Sequence, residues 1–181
     1  MKLQRSLKIL FTAALALQLC QLAQGQDTIV AWDYAGEGGT ALSVADTVVD
    51  AVSTVSPSTE TLLGPGLQSR NYLSNGFTAS RQDQITLAGA ITEEDYISFH
   101  IAPKDGKLIT VNNISLRPVA EGPQRNFALF SSLNGFVESE VIGSIVGGVN
   151  QGGPMFDIAV SGHDELREPV EFRIYIYGDY D

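Results

Sequence analysis

Residues 95–101 alternate strictly. Ile97, Phe99 and Ile101 fall on one side, and Tyr96, Ser98 and His100 on the other. This is the period-2 pattern of a strand whose two faces meet different surroundings. Residues 170–177 repeat it, with Val170, Phe172, Ile174 and Ile176 opposite Glu171, Arg173, Tyr175 and Tyr177. Shorter apolar runs, bounded by Gly, Pro, Asn and Ser, predict further strands at 28–34, 61–63, 76–80, 126–132, 141–146 and 155–160. The run 108–117 also reads as a strand. Its apolar register slips near Asn112 and Asn113, which predicts a bulge there. Residues 41–55 are ambiguous: their valines suit a strand, yet Ala45, Val48, Val49 and Val52 also share one helical face. Residues 85–90, followed by Thr92, Glu93, Glu94 and Asp95, predict one or two helical turns. Many short strands with turn residues between them predict an all-β fold: an antiparallel β-sandwich, jelly-roll-like, with at most a short helix.

The first 25 residues follow a different pattern. Lys2, Arg5 and Lys8 precede an apolar run at 9–19, and Ala23 and Gly25 supply small residues just before Gln26. That order predicts a secretory signal peptide at 1–25, too short in its apolar part to span a bilayer. Lipidation at Cys20 is disfavoured, because bulky Leu19 precedes it. Removing 25 of 181 residues leaves a single domain at 26–181, secreted or held at the cell surface. Cys20 is the only cysteine, so the mature chain has no disulfide and no thiolate metal ligand.

Charge narrows the partners. All three basic signal residues leave with the signal, so eight Lys and Arg remain against 21 Asp and Glu, a net charge of −13. An acidic chain lacks the cationic footprint that nucleic acid requires, and it is repelled by anionic membrane surfaces. No later apolar run is long enough for a membrane span. Neutral glycans, matrix components, cations and basic proteins remain.

Four segments occur in order: IVAWDY at 29–34, DYISFH at 95–100, GPQRNFALFSSLNGF at 122–136 and EFRIYIYG at 171–178. Together they resemble bacterial exported proteins of the PEP-CTERM type, across nearly the whole mature chain. The resemblance implies a jelly-roll-like sandwich with a surface or matrix location, and it brings no catalytic residues. It also implies one more strand and a sorting tail, whereas this sequence stops at Asp181, so the domain is expected to lack a final strand.

Candidate chemistry is sparse. His163, Asp164 and Glu165 are adjacent, and read better as a solvated turn than as a metal site. Ser98 and His100 lie on one strand face, about 7 Å apart, too far for a nucleophile and its base. Glu93, Glu94 and Asp95 suggest a carboxylate pair, but three consecutive acids also read as a solvated turn. A structural calcium is the more credible ion, with Asp33, Asp157, Asp179 and Asp181 near strand ends. For ligand binding, Glu171, Arg173, Tyr175 and Tyr177 form a face on which tyrosine rings would stack on sugars, unless another element covers it. Trp32 reads as core packing. The expected function is a non-catalytic exported module, carbohydrate-directed or part of a matrix; the alternative is a secreted, glycosidase-like hydrolase.

Overall fold

The computed structural model describes residues 28–32, 43–44, 47–55, 57–58, 60–67, 70–73, 76–79, 84–118, 125–147 and 155–178. The expected signal peptide, together with Asp33, Asp179 and Asp181, lies outside the described residues.

The two alternating segments form the middle of the main sheet. They are β7 (Tyr96–Ile101) and β12 (Val170–Tyr177), paired antiparallel with Phe172 opposite Phe99. On its other edge β12 pairs with β9 (Asn126–Ser131), which in turn pairs with β10 (Gly143–Ile145). On its other edge β7 pairs with β4 (Glu60–Leu63), and β4 with β2 (Ser43–Val44). The sheet therefore runs β10-β9-β12-β7-β4-β2, antiparallel throughout. Among its described residues the ambiguous region 41–55 supplies two short strands, β2 and β3 (Thr47–Val48), and a bridge from Val52 to Pro103, and no helix.

Two ribbons contribute to the layer on one side of this sheet. One pairs β1 (Val30–Ala31) with β3, and the other pairs β8 (Asn113–Leu116) with β11 (Phe156–Ala159). The core lies between the layers. Phe99, Ile101, Leu129, Val170, Phe172 and Ile176 from the main sheet meet Ile109, Val111, Ile158, Val160 and Leu166. The register slip in 108–117 is present: Ile109 and Val111 face the core, and after it Ile114 and Leu116 pack there. Trp32 packs on Phe99 with ring centroids 5.2 Å apart, as core packing predicts. A further hairpin, β5 (Arg70–Leu73) with β6 (Gly76–Ala79), has one strand the apolar pattern does not predict. These elements make an all-β, antiparallel, sandwich-like fold, with one short helix among the described residues.

That helix, α1 (Leu87–Glu93), lies on the other side of the main sheet. Thr86 caps its start by accepting from the Gly89 N–H at 3.1 Å. Glu94 ends it in the left-handed conformation, φ 60°. Ala90 is fully buried on Tyr96, Ala128, Phe130 and Tyr175, with Leu87 and Ile91 beside it. The turn at 64–66 clasps the helix end: Gly64 N–H donates to Tyr96 O at 2.8 Å and Gly66 N–H to Glu94 O at 3.2 Å. A side chain at either glycine would fall on the Glu94 or Glu93 carbonyl, so the close approach requires glycine. Asp95, expected on a solvated turn, is instead buried where the helix hands over to β7. Its N–H donates to Ala90 O, and its carbonyl accepts from Ile176 N–H.

Candidate functional site

Helix α1 decides the fate of the β12 face. Tyr175 is only 1% exposed, beneath the helix and edge-on to Tyr96 and Phe130 at 5.3 Å each. Its ring therefore has no free face for a sugar, which corrects the expectation for this residue. Tyr177 is half-buried against the same cluster.

Arg173 is clamped. Its guanidinium lies 4.2 Å from the Tyr96 ring centroid and 3.9 Å from that of Phe136. Nε donates to Glu171 Oε1 at 2.7 Å, Nη2 to Oε2 at 3.3 Å, and Nη1 to the Tyr175 hydroxyl at 3.4 Å. Burial works against the charge, but the Glu171 and Tyr175 hydrogen bonds outweigh it and hold the Arg173 pKa above its ordinary value. Burial also pushes the Tyr96 phenol up, against the opposing pull of Arg173. His100 Nε2 stands 4.0 Å from the second oxygen of Glu171. Glu171 and Arg173 thus brace the sheet: both sit side by side in one strand with their polar atoms engaged.

A second constellation lies inside the core. His163, expected on a solvated turn, is 1% exposed and stacked on Phe172 at 5.4 Å. Its Nδ1 meets the Ser161 carbonyl at 2.8 Å, and a carbonyl only accepts, so Nδ1 carries the proton. Nε2 lies 2.8 Å from the Ser131 hydroxyl, from which it accepts when the ring is neutral. This has the geometry of a serine beside its base, with the base oriented from behind. Ser131, however, is fully buried. Asp164 and Glu165, its neighbours in sequence, stay exposed.

Of the calcium candidates, Asp157 alone lies among the described residues. Asp157 is exposed on β11, where its carboxylate accepts from the Ser115 hydroxyl and from Asn113 Nδ2 at 3.4 Å across the β8 pairing. Asp33 and Asp179 lie outside the described residues. Among the described residues no three His, Cys, Asp or Glu form a group that would hold a metal. No described helix is long and apolar enough to cross a membrane.

A groove of about 420 Å³ is lined by residues 48–50, 52–55 and 103–105. Ser53 N–H donates to Ala102 O and Lys104 N–H to Ala51 O, each at 2.8 Å, so the two lining segments are paired side by side around the Val52–Pro103 bridge. Val48, Val49, Val52 and Pro103 supply apolar lining, with Asp50, Lys104 and Asp105 among the polar groups. Lys104 Nζ reaches Asp50 Oδ1 at 2.9 Å. That hydrogen bond and the charges of Lys104 and Lys107 hold the Asp50 carboxyl below the usual carboxylate range. Periodicity does not reveal this groove. Pro103, Lys104, Asp105 and Gly106 read only as a turn, and the segment paired with it belongs to the ambiguous region. Compared with known proteins, the chain matches no family model, no curated protein and no solved structure.

Proposed function

We propose that this chain is an exported, non-catalytic module of a bacterial surface or matrix, and that it holds a neutral glycan in the groove beside Pro103. The observation that carries the binding half is the lining of that groove. A sugar presents hydroxyls around its rim and C–H groups on its faces. Asp50, Asp105 and Lys104 supply acceptors and donors, and the half-buried Val49 and Pro103 supply apolar surface. Its volume, about 420 Å³, suits small-ligand sites, which run roughly 300–1,000 Å³. Export rests on the basic, apolar and small-residue order of the first 25 residues. The non-catalytic reading is supported by where the reactive side chains are spent: His163 inside the core and Arg173 between two rings.

The test is a glycan array probed with the secreted full chain and with Asp50→Ala/Lys104→Ala. The double variant should lose retention about tenfold or more, while its melting temperature changes only slightly, because an exposed pair contributes little to stability. Absence of any retained glycan, or equal retention by the variant, overturns the groove reading. N-terminal sequencing of exported material should start at Gln26.

One observation favours a hydrolase instead: the Ser131–His163 hydrogen bond. A fluorophosphonate probe decides it. Covalent labelling that is lost in Ser131→Ala would replace the non-catalytic reading with an acyl-transfer enzyme whose core opens.

A further inference from the structure

Three large apolar side chains stand in water within nine residues of each other. Leu133, Val137 and Val141, on the connection from β9 to β10, are 51%, 55% and 41% exposed. The strands they join are adjacent, so the loop leaves and re-enters the sheet at one corner. Ile142 N–H donates to Leu129 O at 2.9 Å and closes its base.

The loop is held in place from within. Ser131 bridges to Gly135, whose φ of 83° turns the chain back, and Asn134 N–H donates to Ser131 O at 3.3 Å. A short 3-10 turn (Glu138–Glu140) follows, and Glu140 N–H donates to Val137 O at 2.9 Å. Phe136 faces inward onto the Arg173 guanidinium and packs with Phe130 and Tyr175. The loop therefore keeps its aromatic residue as an anchor and leaves three aliphatic ones exposed. Ordering a loop costs conformational entropy. One ordered beforehand with an apolar surface binds a partner without that cost.

We propose that this loop is a docking surface for a basic, amphipathic protein segment. Leu133, Val137 and Val141 take its apolar side chains, and Glu138 and Glu140 pair with flanking lysines or arginines. Both glutamates are exposed and sit between Val137 and Val141 in sequence. Charge chooses among the occupants. A second copy docked by the same loop would set Glu138 and Glu140 against their own kind, and an anionic membrane would meet the same two carboxylates. This surface is separate from the Pro103 groove and does not depend on it.

The experiment measures fluorescence anisotropy of a labelled synthetic Leu/Lys amphipathic peptide with the full chain. A Leu/Glu peptide of the same pattern and a polylysine of equal charge are the controls. Two variants are compared: Leu133→Ser/Val137→Ser/Val141→Ser and Glu138→Lys/Glu140→Lys. Circular dichroism and melting temperature establish that each remains folded. The Leu/Lys peptide should bind the wild type, and each variant should bind it at least about tenfold more weakly. The lysine variant should instead prefer the Leu/Glu peptide. No binding, equal binding by wild type and variants, or equal binding of polylysine overturns the proposal. So does concentration-dependent self-association that the serine variant abolishes, which would make the occupant a second copy. Attachment to anionic vesicles that is lost in the serine variant would make it a membrane and overturn the proposal equally.

Discussion

Replacing Arg173 with Met separates a structural clamp from a ligand site. Met approximates the length of the side chain and removes its charge. The structure gives the guanidinium two ring faces, at 4.2 and 3.9 Å, and two hydrogen bonds to Glu171. The side chains of Arg173 and Glu171 are only 18% and 20% exposed, so solvent screens the pair weakly. A partly desolvated cation on an aromatic face contributes about 0.5–2 kcal/mol, and a hydrogen bond to a charged group about 1.5–3 kcal/mol. Two effects oppose the loss: Met packs well against rings, and a half-buried charge disappears. The net cost is expected at about 2–4 kcal/mol. That corresponds to a fall in melting temperature of roughly 5–15 °C for a chain of this size. Arg173→Lys keeps the charge but not the planar fork, and should cost less than Met. Urea denaturation of the wild type, Arg173→Met, Glu171→Gln and the double variant closes a cycle, and the coupling should be about 1–3 kcal/mol. If Arg173→Met stays within about 0.5 kcal/mol of wild type, or if the two substitutions add, the clamp is wrong.

Three further outcomes follow from the same packing. Phe172→Ala removes a fully buried ring stacked at 5.3 Å on Phe99 and should lower stability by about 3–5 kcal/mol; an unchanged urea midpoint would mean the strand faces are misplaced. Ser131→Ala leaves His163 Nε2 buried without its hydroxyl and should cost about 1–3 kcal/mol; nitrogen NMR of the wild-type ring should show the neutral, Nδ1-protonated tautomer, and the other tautomer would refute the hydrogen-bond assignment. Asp50 has a folded pKa below its unfolded one. Its contribution to stability is therefore present above the ordinary carboxylate range and lost as pH falls through the lowered value. In Lys104→Met the NMR-detected Asp50 midpoint should move up, and a midpoint that stays put would show that Lys104 is not the cause.

Periodicity read β7 and β12 well because each face of a central strand meets one kind of neighbour along its whole length. The Asn112–Asn113 slip was legible for the same reason: a bulge moves apolar residues from odd to even positions, and the sequence records the change. What covers a face is not written in that face. Tyr175 and Tyr177 alternate away from the core just as exposed residues would, and the helix over them comes from residues 87–93, far away in sequence. His163 misled for a related reason. Its neighbours Asp164 and Glu165 are solvated, but one histidine turned inward needs only a hydroxyl and a carbonyl, and those come from Ser131 and Ser161. The strand Arg70–Leu73 escaped because its run is short and mixed.

The position of β12 sets the order in which this fold can be completed. It is the last strand in the chain among the described elements, yet it lies between β7 and β9 and is hydrogen-bonded to both. Without residues 170–177 the strand order leaves the main sheet in two separate pieces, β2-β4-β7 and β9-β10. Each has one open edge that is destined for β12. Open edges of that kind recruit other strands. A folding chain is thus open at the centre of its main sheet until β12 docks, and a variant truncated before Val170 should aggregate far more readily than the full chain.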